Sequence, residues 1–312
     1  MRVTVPCWPE AEADVSPSGI FAHIARDGDG SSVGVWGAFT LRTAFQPIFA
    51  FHENTLAIAA FEGLIRPYRH GQPVQPAAFL AALPVGDRLQ VETLARTLHL
   101  ANAATCLPES ASVFVNFDPS IFVDRSIASA ALSDTRNTLA QVGIKPGRVV
   151  CEVTEQRSAS QQVLRDFVRS FRQAGFRIAI DDYGAEDSDI ERIRVLRPEI
   201  VKFDAHWVAR LMETGPGLGL LKAMVGIFAG QGITTVFEGI EESRQIGLAE
   251  QAGVAMVQGF ALARPELAPA SFATFPRTAM PVARRGRGQP VHSMAGLAGE
   301  TFGPRFGRKV AP

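Results

Sequence analysis

The sequence is short of several things that would make its function easy to guess. It has no surplus of charge: 31 Lys plus Arg balance 31 Asp plus Glu across 312 residues. Nothing global therefore draws it to nucleic acid or to an anionic membrane, and specific nucleic-acid binding is not expected. No apolar run approaches the roughly 20 residues that a membrane-crossing helix needs, so no transmembrane segment is read. Met1 to Asp14 carries one arginine and no hydrophobic segment, which excludes a secretory signal at that position. Cysteine is scarce: Cys7, Cys106 and Cys151 show neither metal-ligand nor disulfide spacing. A reduced, cytoplasmic protein is the expectation from these absences.

What is present is core. Hydrophobic residues make up 46% of the chain, enough for a sizeable interior. Residues 1–32, rich in Pro, Ser, Gly, Asp and Glu, read as an irregular arm, with order beginning at Val33. Residues 276–312 read as a flexible tail, in which 281–312 carries a basic excess of +5. Between them, residues 33–275 alternate strand and helix. Apolar runs centred near Phe45, Ala60, Phe114, Val150, Ile178, Val201, Val236 and Met256 make eight strands. Amphipathic helices separate them, as at Val91, Leu94, Leu98 and Ala101, or at Val163, Leu164, Phe167, Val168 and Phe171. Ser188-Asp-Ile-Glu191 has the pattern of a helix-starting capping box, and Gly215-Pro-Gly217 reads as a break in a long helix. Buried strands alternating with helices imply a parallel sheet wrapped by helices. Eight of them match the count of a closed (β/α)8 barrel. The competing doubly wound sheet lacks its glycine fingerprint after the first strand.

The strands end in an unusual way. Phe176-Arg-Ile-Ala-Ile-Asp-Asp-Tyr-Gly184 is an apolar run that stops on two adjacent carboxylates. One such ending is ordinary where a strand emerges into water. Here, however, the others end on Glu62, Asn116, Glu152, Lys202, Glu238 and Gln258. In a barrel these ends share one rim, and that rim carries the chemistry. Carboxylates gathered there repel one another unless cations intervene. The ligands on offer are oxygens, without Cys or His, which suits hard ions such as Mg2+ or Mn2+ and suits zinc poorly. Tandem carboxylates can serve two ions, and two ions suit in-line displacement at phosphorus. Lys202 reads either as an ion-pair partner for the acids or as the group that holds a water and offsets phosphoryl charge.

In order along the chain, Gln46-Pro-Ile48, Glu62-Gly-Leu-Ile-Arg66, Val115-Asn116-Phe117, Glu152-Val-Thr-Glu155, Asp181-Asp-Tyr-Gly184, Ile200-Val-Lys202-Phe-Asp204, Phe237-Glu-Gly-Ile-Glu-Glu242 and Val257-Gln-Gly-Phe260 resemble the motif series of EAL domains, the bacterial cyclic di-GMP phosphodiesterases. The resemblance runs from about Ala44 to Pro265. It implies a TIM-like α/β barrel whose first strand is antiparallel to the rest, and hydrolysis of cyclic di-GMP to linear pGpG. It implies that Glu62, Asn116, Glu152, Asp181, Asp182 and Glu238 hold two divalent cations, Mg2+ or Mn2+. The catalytic group it implies is Lys202, Glu238, Asp182 and Glu62. Gln46, Arg66 and Gln258 would touch substrate, and Glu155 would order the loop after the Asp-Asp strand. A homodimer is a further implication.

The departures from the family pattern are Gly63 for Ala, Asp118 for Ser, Tyr183 for Phe, and the loop Ala185-Glu-Asp-Ser-Asp-Ile190, which loses a glycine and a tyrosine and gains acids. That loop supports metal binding and dimer contacts in the family. Its change leaves a second expectation beside the enzyme: a non-hydrolysing cyclic di-GMP receptor, or a protein-interaction module of EAL fold.

Overall fold

The computed structural model describes residues 23–53, 55–122, 124–154, 160–185, 190–272 and 280–281. Glu155, the Ser188 capping pattern, Glu186, Asp187, Cys7 and the basic tail lie outside them. The chain divides into two units, Met1–Val282 and Ala283–Pro312, and the described residues all belong to the first.

Regular structure opens with a hairpin of β1 (Ile24–Arg26) and β2 (Ser32–Trp36), ahead of the point at which composition places the first order. β2 pairs with β3 (Phe39–His52), and β3 turns into β4 (Thr55–Arg69), which a short β5 (Gln72–Pro73) joins at its far end. Helices α1 (Pro76–Ala81) and α2 (Arg88–Cys106) lead to β6 (Ser112–Phe117). Strand and helix then alternate: α3 (Arg125–Val142), β7 (Val149–Thr154), α4 (Gln161–Gln173), β8 (Arg177–Tyr183), α5 (Ile190–Leu196) and β9 (Ile200–Phe203). The series finishes with α6 (Ala205–Met212), α7 (Gly215–Gly230), β10 (Thr234–Phe237), α8 (Ser243–Ala252) and β11 (Met256–Val257). Two short strands, β12 (Glu266–Leu267) and β13 (Met280–Pro281), pair with β3 and β4.

Strands β4, β6, β7, β8, β9, β10 and β11 are parallel neighbours in that order, and β3 closes the ring antiparallel to both β11 and β4. This is the closed eight-stranded barrel expected, with its antiparallel first strand.

The barrel interior is a layer of one side chain per strand: Ile48, Ala60, Phe114, Val150, Ala179, Ile200 and Val236, with Met256 packed against them. The larger core lies between strands and helices. It includes an aromatic group in which Phe167 stacks on Phe122 at 4.6 Å and approaches Phe171 at 4.2 Å, beside Phe117.

Helix boundaries follow side-chain chemistry. Asp124 accepts from the amides of Ser126 and Ile127 to start α3, and Gly143 at φ 73° ends it. Asp204 accepts from the Trp207 amide at 2.8 Å and starts α6, so this acid is a cap. The expected break at Gly215-Pro-Gly217 falls two residues earlier, at Glu213 and Thr214. α6 ends at Met212, Thr214 caps α7 through the Gly217 amide, and Pro216 occupies the first turn, where its missing N–H costs nothing.

Besides the β2–β3 pairing, a buried side chain of α2 ties down the N-terminal hairpin. Asn102 of α2 accepts from the Ser32 amide at 2.8 Å, donates to the Ser32 carbonyl at 2.9 Å and donates to Thr43 Oγ1 at 3.1 Å. Around it Leu41, Phe79, Val91, Leu94 and Leu98 form a second small core. Asn102→Ala leaves two buried backbone groups unpaired and is expected to lower stability by about 1–3 kcal/mol. A urea midpoint equal to that of the parent protein would contradict this.

Candidate active site at the barrel rim

In a strand, successive side chains alternate between faces. Moving two residues past each member of the apolar layer, towards the strand C-termini, reaches the next inward layer. From Ala60 it reaches Glu62, from Phe114 Asn116, from Val150 Glu152 and from Ala179 Asp181. From Ile200 it reaches Lys202, from Val236 Glu238 and from Met256 Gln258. The antiparallel β3 runs the other way, and two residues before Ile48 is Gln46. Pairing confirms the level: Gln46 lies opposite Glu62, and Asn116 beside Glu152. Eight of the residues singled out from the sequence thus form one storey of the barrel.

At the centre is Lys202. Its Nζ lies 2.6 Å from Glu152, 2.7 Å from Glu238, 3.0 Å from Asp181 and 3.5 Å from Glu62, and the side chain is 1% exposed. Gln258 Nε2 donates to Glu62 Oε2 at 2.8 Å, so the glutamine orients a carboxylate of the same group.

Four carboxylates around one ammonium remain electrostatically unbalanced. Burial would lower the Lys202 pKa, but Asp181, Glu152, Glu238 and Glu62 together hold it well above its ordinary value. Burial pushes the Glu152 carboxyl well above the usual carboxylate range, and Glu62 and Asp181 add to the rise against Lys202. Glu238 is raised to about 8, by burial first and then, against the pull of Lys202, by Asp181 and Glu62. Further positive charge is what this rim is short of.

Asp182 reaches the rim by a different route. It should point away from the barrel, being next to Asp181. The β8–β9 register shifts between Ile180 and Tyr183, and Asp182 adopts φ 59°, an uncommon conformation for a non-glycine residue. As a result ligand oxygens of Asp181, Asp182 and Glu238 lie within 4.8 Å of one another. Burial and the neighbouring Asp181 raise Asp182 to about 6. An all-oxygen, anion-rich cluster fits a hard divalent cation, and the buried Gln258 Oε1, which has no partner, is a further oxygen on the same rim. Just downstream, Gly184 is required: at φ 102°, a Cβ there would lie 2.5 Å from the Trp207 ring.

Two cavities share Leu64, and Glu62 lines the first of them. One, of about 280 Å3, is lined by Gln46, Glu62, Glu238, Gln258 and the exposed Phe260, whose ring lies 4.5 Å from the Arg264 guanidinium carbon. The other, of about 370 Å3, is lined by Arg66, Glu92, Arg96, Asn116, Asp118 and Thr154 over an apolar floor that includes Val91 and Leu80. Arg66 shares the strand face of Glu62 and Leu64 but donates to its own neighbour, the Ile65 carbonyl, at 2.9 Å. Of the site residues picked from sequence, Glu155 lies outside the described residues. Glu92, Arg96 and Phe260 were missed. A charged pair at i and i+4 beside the buried Val91, Leu94 and Leu98 was the available signal for the first two.

The departures at Gly63 and Asp118 have local explanations. Gly63 faces α2, and a Cβ there would sit 2.8 Å from His99 Cγ, so the imidazole takes the room of the usual methyl group. Burial and the charges of Arg66 and Arg96 lower the His99 pKa to about 3, leaving a neutral ring whose Nδ1 meets Thr43 Oγ1 at 3.0 Å. Asp118 accepts from the Ser120 amide at 2.8 Å and starts a turn.

These features define a TIM-like barrel with an acidic rim. The sequence model of the EAL domain matches residues 38–265, and the chain belongs to that family. Among its relatives are an uncharacterised Sinorhizobium fredii protein, y4lL (28% identical, covering 72% of this chain and 27% of that one), and the probable cyclic di-GMP phosphodiesterase PdeA of Escherichia coli (24%, covering 66% and 28%). The chain therefore spans little more than a quarter of either. Among solved structures, the calcium and cyclic di-GMP complex of Klebsiella pneumoniae BlrP1 superimposes with TM-score 0.64 at 26% identity, over 73% of this chain and 56% of that one. A standalone Vibrio cholerae EAL protein shares the fold at TM-score 0.64 and 21% identity, over 74% and 97%. No helix among the described residues is long and apolar enough to cross a membrane.

Two outcomes follow from this geometry. Gly63→Ala is expected to push the Glu62 strand against His99, lowering stability by about 1–3 kcal/mol, whereas Gly63→Ala with His99→Ala recovers part of that loss. Additive losses in the pair would refute the coupling. Second, Glu238 keeps its proton in the folded state up to about 8 but in the unfolded chain only to its ordinary 4.5. Folding then binds protons, so stability of the metal-free protein falls as pH rises from about 5 to 8. Mn2+ favours the ionised carboxylates and flattens that slope. Thermal midpoints in EDTA and in Mn2+ across this range check both statements.

Proposed function

We propose that this chain is a divalent-metal-dependent phosphodiesterase that hydrolyses cyclic di-GMP to linear pGpG. The observation that carries it is the lysine-centred storey of Glu62, Asn116, Glu152, Asp181, Lys202 and Glu238, complete in an EAL-family barrel. Support also comes from BlrP1, whose complexes contain cyclic di-GMP with calcium or with manganese.

In this reading Glu62, Asn116, Glu152, Asp181, Asp182 and Glu238 would hold two cations, Mg2+ or Mn2+. When bound, these supply an acidified water and offset charge on the phosphoryl oxygens. Lys202 holds the water beside the phosphorus and neutralises part of the developing charge. The water oxygen forms a bond to phosphorus as the bond to the 3′ oxygen breaks, and the water proton ends on that leaving oxygen. Arg66 takes a phosphate oxygen, and Gln46 and Gln258 border the ligand. The two cavities that share Leu64 suit the two bases of a cyclic dinucleotide.

A receptor without turnover is the second reading. It is favoured by the acidic residues Glu186 and Asp187 in the loop that follows the Asp-Asp strand. Incubation of purified protein with cyclic di-GMP and Mg2+ or Mn2+ separates the two. Appearance of pGpG, reduced at least about 100-fold in Glu62→Ala, is the result expected of the enzyme. Tight binding with no product would replace the enzyme by the receptor.

A further inference from the structure

The face that carries the acidic rim does not stop at the barrel. β3 and β4 run on past it as a ribbon, and their register fixes which side chains share each level. Gln46 lies opposite Glu62, Ala44 opposite Leu64, Arg42 opposite Arg66 and Thr40 opposite Tyr68. Every second residue of a strand points the same way, so these side chains continue the face of the rim. The other face is turned to α2. There Leu41 packs with Leu94 and Leu98, Thr43 meets Asn102 and His99, and a Cβ on Gly63 would strike His99. Arg42 and Arg66 are therefore cross-strand neighbours four residues beyond Gln46 and Glu62, roughly 13 Å along the ribbon. Arg66 also lines the larger cavity.

Like charges directly opposite one another are destabilising unless anions intervene. Arg42 has such an anion: its Nη2 pairs with Asp27 Oδ2, both side chains remaining partly open to solvent. Arg66 is served less well. Among the described residues its guanidinium bonds to the Ile65 carbonyl of its own strand, and Glu62 acts on it through charge alone.

Arg42 is also drawn towards the rim. β2 is antiparallel to β3 and β1 is antiparallel to β2, so residue numbers rise towards the rim in β3 and in β1 alike. Gly34 pairs with Leu41, which sets Val33 level with Arg42, and Val33 pairs in turn with Ala25. Asp27 is two residues further on, where its amide donates to the Ser31 carbonyl at 2.8 Å. It thus lies on the rim side of Arg42, and the guanidinium that reaches it leans that way.

A cyclic dinucleotide carries two phosphodiester groups, each with one negative charge. In the proposed function the cations and Lys202 attend the scissile group, which leaves the other to the arginines of the ribbon. Two guanidinium forks whose Cβ atoms lie about 5 Å apart suit the two free oxygens of one phosphate. Resting on the cyclic di-GMP reading above, we propose that Arg42 is a second phosphate-binding residue, which joins Arg66 across the ribbon to hold the non-scissile phosphate. Asp27 is its resting partner and competes with the ligand for the guanidinium.

Equilibrium binding of cyclic di-GMP to the full chain tests this in the parent protein, Arg42→Gln and Asp27→Asn. Ca2+ is present as in the BlrP1 complex, and chromatography verifies that the nucleotide stays intact. Both substitutions break the same ion pair, so together they separate a ligand contact from a structural one. Arg42→Gln is expected to weaken binding at least about five-fold, through loss of a charge-assisted phosphate contact. Asp27→Asn is expected to bind no more weakly than the parent. A folded Arg42→Gln protein with a smaller loss overturns the assignment. So does an Asp27→Asn protein weakened to the same degree, since the ion pair would then matter only for seating the hairpin. Should melting curves show Arg42→Gln unfolded, Arg42→Lys takes its place: it keeps the charge but not the fork, and parent-like affinity in it overturns the assignment. These outcomes leave the function reading intact. A parent protein that binds no cyclic di-GMP overturns the function reading and this assignment with it.

Discussion

The site depends on one geometric constraint: in a closed barrel, side chains two apart on a strand occupy consecutive inward layers. Here the lower layer is apolar and seals the interior, and the layer above it is almost wholly polar. Once the apolar layer is seated, Glu62, Asn116, Glu152, Asp181, Lys202, Glu238, Gln258 and Gln46 have no other place to go. Shifting any strand by one residue would send a polar or charged group among the surrounding helices and an outward-facing side chain to the rim. Register and site are therefore one property of the sheet.

The cost of that layer is electrostatic. Ionised groups removed from water are tolerated only when paired, and here Lys202 is the hub of the pairing. One ammonium cannot neutralise four carboxylates, which is why burial and mutual repulsion raise Glu152 and Glu238 above their ordinary range. Under the proposed function, the same imbalance that weakens the metal-free barrel is what divalent cations relieve. Stability has been traded for charge density at the place where a phosphodiester would have to be handled.

Helix α2 links this rim to the remainder of the chain. Through Asn102 it holds the N-terminal hairpin, through His99 it fills the room opposite Gly63, and through Glu92 and Arg96 it walls the larger cavity. Gly63 is therefore more than the loss of a methyl group from a family motif. It is one half of a fitted pair whose other half lies on another element, 36 positions along the chain.

Periodicity alone was enough to place the eight strands, the helices between them and the rim acids, because burial on a regular lattice leaves a regular trace. The eight-strand count, the oxygen-only ligand set and the exclusion of a glycine-rich nucleotide fold were all legible in that way, and the motif series indicated the antiparallel first strand. Other features carry no local signature. The hairpin at Ile24–Arg26 is held by long-range ties from Asn102 and was hidden in a Ser- and Gly-rich stretch. Thr214 takes the start of α7, so Gly215-Pro-Gly217 opens a helix where the composition suggested a gap. Asp182 joins the rim only because a register shift and a left-handed backbone turn it there. Glu92 and Arg96, one turn apart on α2, line a cavity only because the end of β6 and the face of β4 enclose them. Sequence determines which face each side chain takes, since that depends on neighbours along the chain. Which faces meet, and which charges must share one buried space, is decided only when distant strands close the ring.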